Sequence, residues 1–236
     1  MSPALLLGLV GAGAGTAMAA LLMDRLFYRP LRGRRAGLVV LAIASLGVAI
    51  LLRSLVYIAW GPQPRFYSEG VPLFWSGPWG VQVRPDHLFI FGTAMTLVVL
   101  LYLFLERTKV GKALRAMADN PDLARVSGVN TELMVFWTWV VVAALAAVGG
   151  VLLGVQSHLR PEMGAFNLLP LFAATILGGI GSPYGALLGA FIIGVGQQLF
   201  AGLVPDFISP AYKSGASFLI LFVLLLVRPT GLFRRV

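Results

Sequence analysis

Seven apolar stretches, at roughly residues 4–23, 37–59, 87–105, 133–155, 165–180, 184–203 and 214–227, constrain this chain more than any other feature. About 20 apolar residues span the hydrocarbon core of a bilayer as a helix. Backbone amides in lipid have no water to bond, so each stretch must satisfy its own hydrogen bonds, and the helix does so. The expected fold class is all-α: a polytopic transmembrane helical bundle of about seven membrane segments. The fifth stretch is short for a full crossing and ends in glycines, a pattern that reads as a broken or re-entrant helix. Charged residues make up 11% of the chain, against about 25% in soluble domains. The 236 residues leave no room for an extramembrane catalytic domain, so residues 1–236 are read as a single transmembrane domain. Leu5 to Val10 followed by Ala17-Met18-Ala19 imitates a cleaved leader, but no basic residue precedes the run and it continues to Met23, which favours a span.

The formal charge of +9 raises nucleic acid as a partner. The distribution argues against it: thirteen of the eighteen Arg and Lys lie in 24–36, 106–132 and 228–236, between or after apolar stretches. That is the pattern of cytoplasmic segments under the positive-inside bias. The stretches 60–86, 156–164 and 204–213 are poorer in basic residues and fall on the other side, which starts the chain outside and leaves the C-terminus cytoplasmic. Loop 60–86 holds Trp60, Pro62, Pro64, Pro72, Trp75, Pro78 and Trp79, residues suited to rigid extended structure at an interface. It either docks a soluble partner outside the cytoplasm or packs on its own protein.

All nine acidic residues fall at or beyond the ends of the stretches, so no buried carboxylate relay of the kind proton-coupled carriers use is visible. Arg53 is the one charge well inside a stretch, near its outer end, where its side chain reaches the interface by snorkelling. The chain has no cysteine, and His87 and His158 sit at stretch ends without ligands at metal spacing, so no metal or other cofactor is assigned. Gly111-Lys112 is followed by Ala113 and does not complete a phosphate-binding loop. The chain is not an ATPase.

The most informative polar segment runs from Thr108 to Gly128. Lys109 to Asp119 has helix-forming composition. Pro121 disfavours helix at Asn120 and suits the first position of a new helix capped by Asn120. Two short helices meeting at a corner are expected. Ala113 and Ala116 on the first, and Ala124 with Gly128 on the second, offer small side chains where another backbone approaches. Spacing alone leaves two readings, a docking element or a solvated amphipathic connector.

The run Gly111, Lys112, Ala113, Leu114, Arg115, Ala116, then Asn120, Ala124 and Gly128-Val129, resembles the cytoplasmic signature of the branched-chain amino-acid ABC transporter permease family. Tyr28-Arg29-Pro30-Leu31-Arg32, Gly61-Pro62, Leu177 to Ala186 with Gly189, and Arg228 to Phe233 match that family in order, over essentially the whole chain. The resemblance implies the membrane-spanning permease subunit of an ABC importer for branched-chain or similar amino acids in a bacterial-type inner membrane. It implies as partners separate ABC ATPase subunits, a second permease subunit and an extracytoplasmic substrate-binding protein, with Gly111, Lys112, Arg115, Ala116, Asn120, Ala124 and Gly128 forming the ATPase-coupling loop. Members of the family carry further apolar segments ahead of the part that aligns with Met1, including a Gly-rich stretch with an Asn that this sequence lacks.

A second candidate site is Gly178, Gly179, Gly181 and Ser182, with Ser182-Pro183 as N-cap and first residue of the next helix. Gly181, Gly185 and Gly189, like Gly11 and Gly15, also fit close helix packing in lipid. The functional reading places an amino-acid carboxylate at the free N–H groups of that helix start, on the substrate pathway. Two further readings stand beside the importer: a permease for urea or short amides, and an ATPase-independent channel with the glycine break as its constriction.

Overall fold

Each apolar stretch is a helix in the computed structural model, which describes residues 3–34, 36–67, 75–76, 82–83, 85–157, 159–179, 181–203 and 213–227. His158, Glu69, Asp206, Pro72, Pro78, Trp79 and the tail from Arg228 lie outside the described residues. The helices are α1 (Pro3–Met23), α2 (Arg29–Gly33), α3 (Leu38–Trp60), α4 (Pro85–Arg107), α5 (Lys109–Asp119), α6 (Pro121–Val126), α7 (Thr131–Gln156), α8 (Met163–Gly178), α9 (Pro183–Leu203) and α10 (Lys213–Val227). Among the described residues four of these, α3, α4, α7 and α9, hold windows long and apolar enough to cross a membrane. α8, with 16 residues, is about 24 Å long and falls short of the roughly 30 Å hydrocarbon core.

The chain divides into two compact units, Met1–Pro161 and Glu162–Val236. In the first, α1 packs along α7, and α4 and α5 also contact α7. A π-helical turn, Asp24–Tyr28, carries α1 into α2 without a break, and Tyr28 meets Trp139 of α7 with ring centroids 5.3 Å apart. The polar ends sort onto two faces. At one, Arg29 of α2 faces Glu132 of α7 at 3.4 Å. At the other, the backbones of Arg65 and Leu159 exchange both hydrogen bonds, 3.1 and 2.9 Å, in an antiparallel bridge. Arg29 and Glu132 thus lie at one end of this unit and Arg65 with Leu159 at the other. A two-residue antiparallel ladder, β1 (Trp75–Ser76) with β2 (Gln82–Val83), lies in the loop before α4.

Arg53 lies 5.6 Å from the centroid of the Tyr57 ring, one turn on in α3. The cation thus has a π-face partner near the helix end. Large apolar side chains such as Ile43, Ile50 and Ile58 on α3 and Phe91 on α4 are exposed. In water this would be an aggregation hazard; in a bilayer the solvent is itself hydrocarbon.

In the second unit α8 and α9 form the closest helix pair and α10 packs on both. Ala173, Ala174, Leu177 and Ile193 make its core, with Ile220 and Leu221 against it. A Cβ built at Gly178 would collide with the backbone of Gly185 and Ala186, and one at Gly189 with the carbonyl of Ala174. Pairing 178 with 185 and 174 with 189 makes the helices antiparallel. The glycine break is therefore a hairpin turn at which the chain reverses, and it does not interrupt one continuing helix.

Candidate functional site

The segment from Thr108 to Asn130 is built from caps. Thr108 closes the corner between α4 and α5: its hydroxyl donates to the Phe104 carbonyl (2.6 Å) and accepts from the Gly111 N–H (2.9 Å). Asn120 ends α5 and starts α6 in extended conformation, its Oδ1 accepting from the N–H groups of Asp122 and Leu123 at 3.1 and 3.0 Å. Pro121 takes the first helical position, as its missing N–H and fixed φ suit. Each such cap is worth about 1 kcal/mol.

α6 then stops on Gly128, whose φ of +88° is the left-handed conformation that glycine adopts without penalty. The Val129 N–H bonds the Ala124 carbonyl (3.0 Å) and the Gly128 N–H that of Arg125 (3.1 Å). This pair of bonds is a Schellman stop. Asn130 caps α7 in turn, accepting from the Leu133 N–H. Three helix starts and one helix end within about 25 residues are thus fixed locally, and the corner is stiff.

Tertiary contacts anchor it. Gly111 is buried because α5 crosses the end of α4 closely: a Cβ there would lie 2.6 Å from the Leu105 Cα. Arg115 reaches back to Glu106, Nη1 to Oε1, at 2.7 Å, with both side chains about one-third exposed. Such a half-buried, hydrogen-bonded pair is stronger than a surface one.

The residues predicted from the sequence therefore divide. Lys112, Ala116, Asn120 and Gly128 are exposed, whereas Gly111 and Ala124 are buried. Ala124, at 4% exposure, belongs to the packing of α6 within the loop, and Gly128 ends the helix. Ala124 is thus small for an internal reason, while Gly128 stays on the surface and is glycine for its left-handed conformation. The outward surface instead carries Leu123 and Val126, at 64% and 86% exposure. The signal for them lay in the sequence: two large apolar residues on a six-residue helix in an otherwise polar loop.

At the second candidate site, Gly178 and Gly179 are buried, Gly181 is exposed and Ser182 half-buried. Gly179 and Gly181 have φ of +98° and +96°. The Ser182 N–H donates to the Gly179 carbonyl at 3.2 Å, and its Oγ accepts from the Gly185 N–H at 3.1 Å. Ser182 thus caps α9 with Pro183 at the first helical position. The two sites lie in different compact units.

Comparison with known proteins places this architecture. The family model described as "Branched-chain amino acid transport system / permease component" matches residues 1–227. The chain is 31% identical to the high-affinity branched-chain amino acid transport system permease protein LivH of Escherichia coli K12, over 90% of this chain and 69% of that protein. It is 33% identical to BraD, the corresponding permease protein of Pseudomonas aeruginosa, with the same coverage. The probable LivH of Methanocaldococcus jannaschii is 30% identical over 89% of this chain and 69% of its own length. No solved structure matches. The match runs through both compact units and all ten helices among the described residues, and the chain belongs to the family of branched-chain amino acid transport system permease components.

Proposed function

We propose that the chain is the membrane-spanning subunit of an ABC importer, moving branched-chain or similar amino acids by alternating access and driven by separate ATPase subunits. The observation that carries this is the α5–α6 corner. It is a stiff, capped element anchored by Gly111 and by the Arg115–Glu106 pair, and it presents the two exposed apolar side chains of Leu123 and Val126. A solvated connector has no use for that combination. A lever that seats in a cleft of an ATPase and moves with it as a rigid body does. Gly111, Arg115, Asn120, Ala124 and Gly128 then hold the lever's shape, and Lys112 and Ala116 lie on its exposed surface.

The proposal includes seven membrane segments working as one permease domain, with 24–36, 106–132 and the C-terminus cytoplasmic. The basic residues favour that sidedness, and the pairing of polar ends onto two faces supports it. A second permease subunit completes the pathway, and a substrate-binding protein docks on the extracytoplasmic face that carries 61–67. Gly178, Gly179, Gly181 and Ser182 form the proposed substrate pathway: the hairpin turn lines the route with backbone polar groups and the start of α9 faces the substrate carboxylate.

The test is transport. With the ATPase subunits, the partner permease and the binding protein in proteoliposomes, labelled leucine is expected to accumulate above the external concentration only with ATP. Equilibration to the external concentration regardless of ATP would identify a channel instead.

A further inference from the structure

Between α2, the α5–α6 corner and the first turns of α7 lies an open cavity of about 570 Å³. Its lining carries three guanidinium groups, Arg29, Arg32 and Arg125, against one carboxylate, Glu132, with Met117 and Val135 as apolar wall. Arg32 is engaged by Asp24 at 2.8 Å. Arg29 meets Glu132 only at 3.4 Å with both side chains about three-fifths exposed, a pair worth little in water. Arg125 stands in no ion pair among the described residues and is exposed. The cavity thus has an excess of positive charge converging from two chain segments nearly 100 residues apart.

Its level in the membrane specifies the ligand further. α1 ends at Met23 and α7 begins at Thr131, so the cavity lies where these helices leave the apolar layer. One turn deeper along α7 from Val135, Trp139 stacks with Tyr28 in the manner of interfacial aromatics. A ligand filling this space meets the arginines together with the apolar side chains of Met117 and Val135. Guanidinium groups suit phosphate oxygens, and basic pockets between membrane helices suit anionic headgroups.

We propose that this cavity binds the phosphate of an anionic phospholipid headgroup, bridging α2 to the α5–α6 corner. The inference rests on the membrane reading alone and needs no ATPase. A seated headgroup would tie the corner to α2 and stiffen it where it meets its partner.

The experiment is native mass spectrometry of the full chain in detergent, titrated with phosphatidylglycerol or with phosphatidylcholine of the same acyl composition. Phosphatidylglycerol is expected to be retained preferentially. Arg125→Gln should weaken its retention about fivefold and the Arg29→Gln, Arg125→Gln pair more than about tenfold, in line with about 1 kcal/mol per basic residue at such a surface. Glu132→Gln should strengthen it, a gain that misfolding cannot mimic. Equal retention of the two lipids, or no change in Arg125→Gln, would overturn the proposal. So would full displacement by millimolar inorganic phosphate, which would make free phosphate the ligand, or displacement by an added ATPase subunit, which would make the cavity a protein contact. Binding in detergent is independent of transport, so failure here and failure of the importer reading are separate results.

Discussion

Leu123→Asp combined with Val126→Asp is expected to abolish ATP-driven uptake, a loss of at least about a hundredfold, while leaving the permease in the membrane at wild-type level. The two side chains are among the most exposed large apolar groups outside the membrane stretches, so replacing them removes no internal packing. Leu123 lies in the first turn of α6, where a carboxylate is favourable, and the stop after Val126 is made by the backbone bonds around Gly128. The loss is expected at the proposed interface with the ATPase. Buried apolar anchors dominate docking energies at about 2 kcal/mol or more each, and two desolvated carboxylates add their own cost. Measured as substrate-stimulated ATPase activity beside uptake, both readouts should fall together. Loss of uptake with stimulation intact would place the defect on the substrate pathway and remove the corner from coupling.

Gly178→Val is expected to have the opposite character, failing as a folding defect. The backbones of α8 and α9 touch at Gly178 with Gly185 and at Gly189 with Ala174, and a side chain at 178 finds backbone atoms that cannot rotate away. Overpacking typically costs about 1–3 kcal/mol, more where backbones must separate. The yield of detergent-extractable monodisperse protein should fall severalfold, with a lowered melting temperature. Gly194→Ala on the partner helix α9, with open space around its Cβ, should match wild type in both. Equal behaviour of the two variants would contradict the tight α8–α9 hairpin.

The elements the sequence disclosed well are those decided locally. The apolar runs marked the helices, and the corner at Asn120-Pro121 was readable because a cap and a first-position proline act within three residues. Ser182-Pro183 was readable for the same reason. What the sequence could not disclose depends on which surfaces meet. Ala124 and Gly128 share a small size for different causes, one buried against neighbouring helices and the other fixed in the left-handed conformation, and spacing cannot separate those from a docking face. The glycines at 178–181 permit either a continuing broken helix or a reversal, and contacts of Ala174 and Gly178 across to α9 decide for reversal. The arginine cavity was hidden because the positive-inside pattern already accounts for each of its residues singly.

The proposed role of the corner as the seat of an ATPase is tested most directly by a cross-link. The chain has no native cysteine, so Val126→Cys supplies a single thiol at the most exposed apolar position of α6. Membranes carrying this variant with the ATPase subunits, treated with a short thiol-to-amine cross-linker, should yield a permease–ATPase adduct whose amount changes on adding ATP. An active complex that gives no such adduct, while the same thiol is readily modified by a soluble maleimide, would contradict the account.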